Sequence, residues 1–292
     1  MSTRLSSIDI VSRCVQGFSS QQLGQLDNCF KPDYARYVTP GVPGVRSYSE
    51  HLAELRNRHS KLSSARFDMH EIFGDENTVI ARFVLSAQHT GDFLGIPATG
   101  RAFIRPQICF FHFKDMQIAD NYSFVDMQLM LDCLRGQRSD TEHWPRVPIA
   151  QGKADPLLPA VQAKKVSALL EHAFNAGGPV HEDALHEDFR AYGLPGAAAP
   201  LTGPEYLAFL RSRRDRYRAA SMSIDEMYAH AAGVAVRYTV RGESAATAVR
   251  APIIVSEQCA TIFHFADERM VNAFAILDSY GVQVQLDAGQ AP

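Results

Sequence analysis

The chain has few cysteines, little net charge and no long apolar run, and each shortage removes a class of protein. Its five cysteines, Cys14, Cys29, Cys109, Cys133 and Cys259, are odd in number and form no CxxC pair. That excludes a disulfide framework and a zinc arrangement, and the thiols are expected to be reduced core residues of a cytoplasmic protein. The formal net charge is −3 over 292 residues, so there is no broad cationic surface for nucleic acid. The densest basic run, RSRRDRYR at 211–218, reads as a solvated helix face. No apolar stretch approaches the ~18 residues that suggest a membrane span. The first residues, MSTRLSSIDIVSRC, lack the apolar core of a signal peptide. No Gly-rich phosphate loop follows a strand pattern, and no His/Asp/Cys group has ligand spacing. Neither a nucleotide cofactor nor a metal is therefore expected.

What the sequence does contain is a repetition. FFHFKDMQIADNYSFVD (110–126) returns as IFHFADERMVNAFAILD (262–278), with Phe111/Phe263, His112/His264, Phe113/Phe265, Asp115/Asp267 and Asp126/Asp278 identical. LAELRNR (52–58) returns as LAFLRSR (207–213), an offset of 155 against 152 for the first pair. At 155, Asp33 meets Asp188, Tyr37 meets Tyr192, Glu50 meets Glu205 and Glu71 meets Glu226. A period near 150 is a domain duplication, too long for a solenoid repeat. The expected division is 1–138, a Pro/Gly-rich linker at 139–160 holding the single Trp144, and 161–292. Trp144 is expected to dock on a domain surface.

Each copy has the same order of patterns. An amphipathic helix comes first (IDIVSRCVQGF; VQAKKVSALLEHAF), then a short helical stretch ending near Asp33 or Asp188. A Pro/Gly loop leads to a further helix at about 48–62 or 203–218, where Pro204 suits a first turn. Strands with alternating polarity follow, the last two joined by a tight turn at KDMQ. The pattern predicts an α+β fold in which about three helices pack on a curved antiparallel sheet, leaving a pocket at its mouth.

Strict alternation puts Ile118, Asp120, Tyr122, Phe124 and Asp126 on one face of the last strand, so Asp126 ends a row of large side chains. Partial desolvation raises a carboxyl pKa and suits it to take a proton from carbon. His112, on the preceding strand, is placed to approach that face. The same residues have plainer readings: Asp126 precedes MQLMLDCL and is a natural N-cap, and His112 is an ordinary sheet histidine. SYGVQVQL, after Asp278, is a poor helix. Glu71 and Arg82, repeated as Glu226 and Arg237, read as cross-strand ion pairs, with a pocket acid or base at Glu71 as the rival. His89 lies in the loop near the expected pocket mouth and reads as solvated.

HTGDFLGIPATGR followed by ICFFHFKDMQIADNYSFVD and MQLMLDCL resembles the SnoaL-like polyketide cyclase family. The resemblance covers almost all of the first copy. In the second copy it rests on the order of elements, the FHFADERM turn and Asp278. It implies two tandem nuclear transport factor 2-like, cystatin-like cones forming a pseudo-dimer. It also implies a cofactor-independent cyclase or isomerase of polyketide-like, carbonyl-rich intermediates of secondary metabolism. Asp126 would be the base and His112 its partner, with Asp278 and His264 matching them in the second copy and Tyr37 and Tyr192 as further donors. A non-catalytic small-molecule-binding module and an epoxide-opening hydrolase of the same fold stand as alternatives. The expected partner is an apolar or polyketide-like small molecule, with no nucleic acid and no membrane. The first copy, which keeps the full GIPATG loop, is expected to be the catalyst.

Overall fold

A computed structural model of the chain describes residues 5–20, 22–26, 28–39, 45–138, 144–146, 157–174, 182–246, 251–266 and 268–288. Most of the expected linker, Asp267 of the repeated phrase, and positions 247–250 of the second copy's shortened loop lie outside the described residues. The chain divides into two compact units, Met1–Pro148 and Ile149–Pro292, and the described residues form two sheets.

In the first unit, helix α1 (Ser7–Ser20) and a 3₁₀ turn (Leu23–Leu26) precede strands β1 (Phe30–Thr39) and β2 (Val45–Arg46). Helix α2 (Tyr48–Lys61) follows, then β3 (Leu62–Gly74), β4 (Thr78–His89), β5 (Ala102–Lys114), β6 (Gln117–Val125) and helix α3 (Met127–Arg135). The sheet order is β2-β1-β6-β5-β4-β3. The second unit has α4 (Leu158–Phe174), a 3₁₀ turn (Glu182–Ala184), β7 (Leu185–Tyr192) and α5 (Gly203–Asp215). Then come β8 (Arg218–His230), β9 (Gly233–Glu243), β10 (Ile254–Ala266), β11 (Arg269–Leu277) and α6 (Ser279–Ala288), with sheet order β7-β11-β10-β9-β8.

Helices cover one face of each sheet because their apolar stripes demand it. Val11, Cys14, Val15 and Phe18 recur at helical spacing in α1 and pack on β3 and β4. A fully buried side chain of this kind contributes about 1.5–3 kcal/mol. Helix α2 starts at a capping box: Ser47 N–H donates to Glu50 Oε2 (2.7 Å), and Glu50 N–H to Ser47 Oγ (3.4 Å). In the second unit Thr202 N–H donates to Glu205 Oε2 (2.8 Å) ahead of α5. The β5–β6 turn puts Asp115 and Met116 at φ 55° and 61°, the left-handed pair of a tight hairpin.

Three expectations change. The stretches around Asp33 and Asp188 are strands, not helix ends: β1 and β7 pair in parallel with β6 and β11, so neither sheet is wholly antiparallel. Pro32 sits where the β1 register shifts between Phe30 and Ala35, the irregularity that lets a strand hold a proline. SYGVQVQL is helical, as α6, because Asp278 Oδ1 accepts from Gly281 N–H (2.7 Å) and Val282 is buried. Within the basic run, Arg213 is buried and paired with Glu257 rather than solvated. Trp144 is buried in the first unit. Beside it, Pro145 C=O accepts from Arg82 Nη2 (3.1 Å), and Arg146 Nη2 bonds Asp68 Oδ2 (2.6 Å). All five cysteines are buried, and none is in a disulfide.

Candidate active site

One β-bulge decides which side chains of β6 enter the helix-covered interior. Phe111 and Phe113 of β5 belong to the core under α1 and α2. The β5–β6 register shifts between His112 and Phe113, so Phe113 faces Ile118 while Phe111 faces Asn121 and Cys109 faces Ser123. Ile118, Asn121 and Ser123 therefore point inward. Asp120, Tyr122 and Phe124 share the opposite face with His112 and Phe110.

The residues expected to form one site are accordingly spread out. His112 Nδ1 bonds Asp120 Oδ1 (2.6 Å), its cross-strand neighbour, and its ring meets Tyr122 edge-on. Asp126 lies six residues beyond Asp120, roughly 20 Å along the strand direction at ~3.3 Å per residue. It caps α3, with Oδ1 accepting from Leu129 N–H (2.9 Å). His264 faces Asn272 across the strands, so the His–Asp pair is not repeated. Tyr37 stacks on Tyr122 (ring centroids 4.4 Å) and Tyr192 on Phe274 (4.7 Å). Glu71 pairs with Arg82 Nε (3.2 Å), and Glu226 with Arg237 Nε (2.6 Å), as the cross-strand reading expects. His89 is buried, not solvated. Its Nδ1 accepts from Thr99 N–H (3.3 Å) and pins the GIPATG loop.

Both capping carboxyls are nevertheless perturbed. Burial pushes Asp126 up to about 6 and Asp278 to about 7, against the backbone N–H bonds each accepts. An unfolded aspartate ionises near 3.9. Between about pH 4 and 7 folded Asp278 holds a proton that the unfolded chain has released. Its contribution is thus fully present below about pH 4 and is lost as pH rises through 7. Asp278→Asn, which caps as well, is expected to be more stable than the parent at pH 8 by up to about 4 kcal/mol, roughly three units at ~1.4 kcal/mol each. The gap should close at pH 4. Urea melts at both pH values check this, and an equal gap at both would count against it.

The inward-facing polar residues do converge. A cavity of about 20 Å³, room for about one water, is lined by Arg36, His51, Arg58, Gln107, Asn121 and Ser123, with walls of Phe18, Phe67, Phe83 and Phe111. Of its lining residues only Arg58 is half-buried rather than buried, which puts Arg58 at the opening. The polar groups form a chain. Tyr34 Oη donates to Asn121 Oδ1 (2.5 Å), and Asn121 Nδ2 to Ser123 Oγ (2.7 Å). Ser123 Oγ contacts Cys109 Sγ (3.3 Å), which accepts from Gln107 Nε2 (3.1 Å). Arg105 Nη2 donates to Gln107 Oε1 (3.4 Å). His51 Nδ1 lies 3.5 Å from Tyr34 Oη, and the two rings stack. Since Tyr34 donates to Asn121, its oxygen is left to accept from Nδ1–H, a tautomer that leaves Nε2 a proton acceptor. Burial, then Arg36 and Arg58, hold His51 well below its usual range, so it is neutral near pH 7.

The second unit supplies an internal comparison, because its register matches strand for strand. Leu85 faces Arg105 as Val240 faces Glu257, and Arg36 faces Asn121 as Ala191 faces Ala273. At the positions of His51, Gln107, Asn121 and Ser123 it carries Tyr206, Cys259, Ala273 and Ala275, all buried. Arg213, matching Arg58, forms a buried ion pair with Glu257, matching Arg105. That set of side chains is therefore not repeated in the second unit, whose interior holds Tyr206, Tyr238, Cys259 and Thr261 instead. Among the described residues one trio, the half-buried His186 with the exposed Glu187 and Asp188, brings three possible ligand atoms within 4.8 Å, and none of these lines the cavity. Among the described residues no helix is long and apolar enough to cross a membrane.

Comparison with known protein families finds a match that lies in the same unit. Residues 8–132 match the family model described as SnoaL-like polyketide cyclase. The aklanonic acid methyl ester cyclase DnrD of Streptomyces peucetius is 29% identical over 132 residues, covering 41% of this chain and 85% of that protein. The aklanonic acid methyl ester cyclase AcmA of Streptomyces galilaeus is 28% identical, covering 47% and 95%. Similar solved structures include a SnoaL-like polyketide cyclase from Agrobacterium tumefaciens (16% identity, TM-score 0.39, covering 46% of this chain and 100% of that one). TsrD from Streptomyces laurentii is another (23%, TM-score 0.39, covering 43% and 91%).

Proposed function

From the match of residues 8–132 to the SnoaL-like polyketide cyclase family model, we propose that the chain is a cyclase whose chemistry takes place in the first unit's interior. The observation that carries this reading is the polar chain from Tyr34 to Arg105, present in the first unit and replaced in the second by a tyrosine, a cysteine, alanines and a closed ion pair. The reaction is an intramolecular aldol-type closure. A C–H beside a carbonyl loses its proton to His51 Nε2. The carbanion carbon bonds a second carbonyl carbon of the same molecule, and that oxygen takes the proton back. Atoms balance without oxidant or reductant. His51 is a weak base in the empty interior, but the negative charge formed on the enolate oxygen lies beside Arg36 and Arg58. Enolate and imidazolium thus stabilise each other where water is excluded. Admitting a multi-ring substrate requires the lining side chains to move, Arg58 foremost.

The test is incubation of the chain with aklanonic acid methyl ester, on which two relatives are named to act, and in parallel with the corresponding free acid. The ring-closed product is an isomer of equal mass, so it is followed by chromatographic retention. A second reading keeps Asp126 as the base, favoured by its carboxyl at about 6, close to working pH. Under the interior reading Asp126→Asn keeps turnover within about threefold and stability within about 1 kcal/mol, because Asn caps as well as Asp. A loss of 10²–10⁴ in rate with unchanged melting would favour Asp126 instead.

A further inference from the structure

We propose that the first unit's interior is built to take an anion, the carboxylate of a flat polyketide-like aromatic acid, seated among Arg36, Arg58 and Arg105. The proposal rests on reading that interior as the substrate site. Two arginines, Arg36 and Arg58, line the cavity, and Arg105 stands behind it on the lining residue Gln107, close enough to feel both charges; among the described residues one carboxylate, Glu54, answers them. Glu54 is already shared between Arg36 Nη1 (3.0 Å) and Arg46 Nε. Arg105 is 3% exposed, yet its guanidinium makes a single long bond to Gln107, and its Nε has no partner among the described residues. Arg58 forms no ion pair among the described residues. A guanidinium does not escape burial by losing its proton, so an under-paired one is costly and marks a place where a counter-charge is missing. Burial and the neighbouring arginines hold Arg105 well below the usual range and Arg58 at about 10.

The second unit shows what fits. Where the first unit has Arg58 and Arg105, the second has Arg213 and Glu257, and the Glu257 carboxylate pairs with the arginine inside the fold. A carboxylate is thus already accommodated at this depth, opposite this arginine. In the first unit the tethered carboxylate is absent and a second fork-shaped donor stands in its place. Two guanidiniums present paired N–H groups that match the two oxygens of a carboxylate.

The test uses 2-naphthoate and its neutral counterpart 2-naphthamide, titrated calorimetrically into the full chain at pH 7.5 and low salt. The carboxylate is expected to bind at least tenfold tighter, and Arg105→Met to abolish the preference. Arg105→Met should also melt at a higher temperature than the parent without ligand, because an under-paired buried charge has been removed. A purely structural Arg105 would lower the melting temperature instead, and that result would overturn the proposal. Should Arg105→Met fail to fold, Arg58→Met, at the half-buried opening, must show the same loss of preference. Equal binding of the two probes would overturn the anion proposal while leaving the interior as the substrate site. A carboxylate preference that survives both substitutions would overturn it too. Failure of both probes to bind or to slow cyclisation would remove the site reading with it.

Discussion

Replacing His51 by phenylalanine is expected to lower turnover in the cyclisation assay by about 10²–10⁴-fold, the usual worth of a positioned base. The substitution keeps an aromatic ring against Phe18 and Tyr34, so stacking survives and only the nitrogens are lost. The one hydrogen bond removed is the long contact to Tyr34, which leaves stability within about 1 kcal/mol. A fall in rate with an unchanged melt therefore reports chemistry and not folding. Tyr206→Phe, at the matching position of the second unit, should leave turnover unaltered. Full activity in His51→Phe would remove the base from the interior.

Glu257→Gln is expected to destabilise the second unit by about 3–5 kcal/mol. It leaves Arg213, 3% exposed, as an uncompensated buried charge. Removing both charges together, as Arg213→Met with Glu257→Leu, should return stability to near the parent or above it, since a packed apolar pair avoids the desolvation cost. Urea melts of the single and double variants decide the matter. A loss below about 1 kcal/mol in Glu257→Gln would mean that the pair is hydrated, and the contrast drawn between the two interiors would weaken.

The duplication, the starts of α2 and α5 and the hairpin turn could be read from the residues alone, because each is a local signal. Ser47 with Glu50 and Thr202 with Glu205 stand at cap spacing, and Lys114–Gln117 is a four-residue turn between alternating runs. Strands β1 and β7 were not legible. FKPDYARYVT and LHEDFRAY carry a proline or charges and alternate poorly, and their place in the sheet comes from parallel pairing with a strand far along the chain. That is a tertiary decision overriding local pattern.

The inward face of β6 was misplaced for one geometric reason. Unbroken alternation puts Ile118 and Asp120 on the same face, but the bulge beside Phe113 turns Ile118 inward and Asp120 outward. One residue of slip exchanges the faces of a strand. The apolar row Tyr122–Phe124 thereby looked like the pocket wall, while Asn121 and Ser123 line it. The signal that points to the interior lay in the repeat itself. Asn121/Ala273, Ser123/Ala275, Gln107/Cys259 and His51/Tyr206 are pairs in which one copy keeps a polar group and the other has none or only a buried hydroxyl or thiol. Differences between the copies carried more information about chemistry than the identities His112/His264 and Asp126/Asp278. Of those, the aspartates hold helix starts in both units.

The central claim, that chemistry belongs to the first unit's interior, is tested most directly by a crystal structure of the chain with the ring-closed product bound. The account predicts product in the first unit, with an oxygen about 3 Å from the Arg58 guanidinium or Asn121 Nδ2 and a ring carbon next to His51 Nε2. Product lying against His112 and Asp120 on the opposite face, or inside the second unit beside Tyr206, would contradict it.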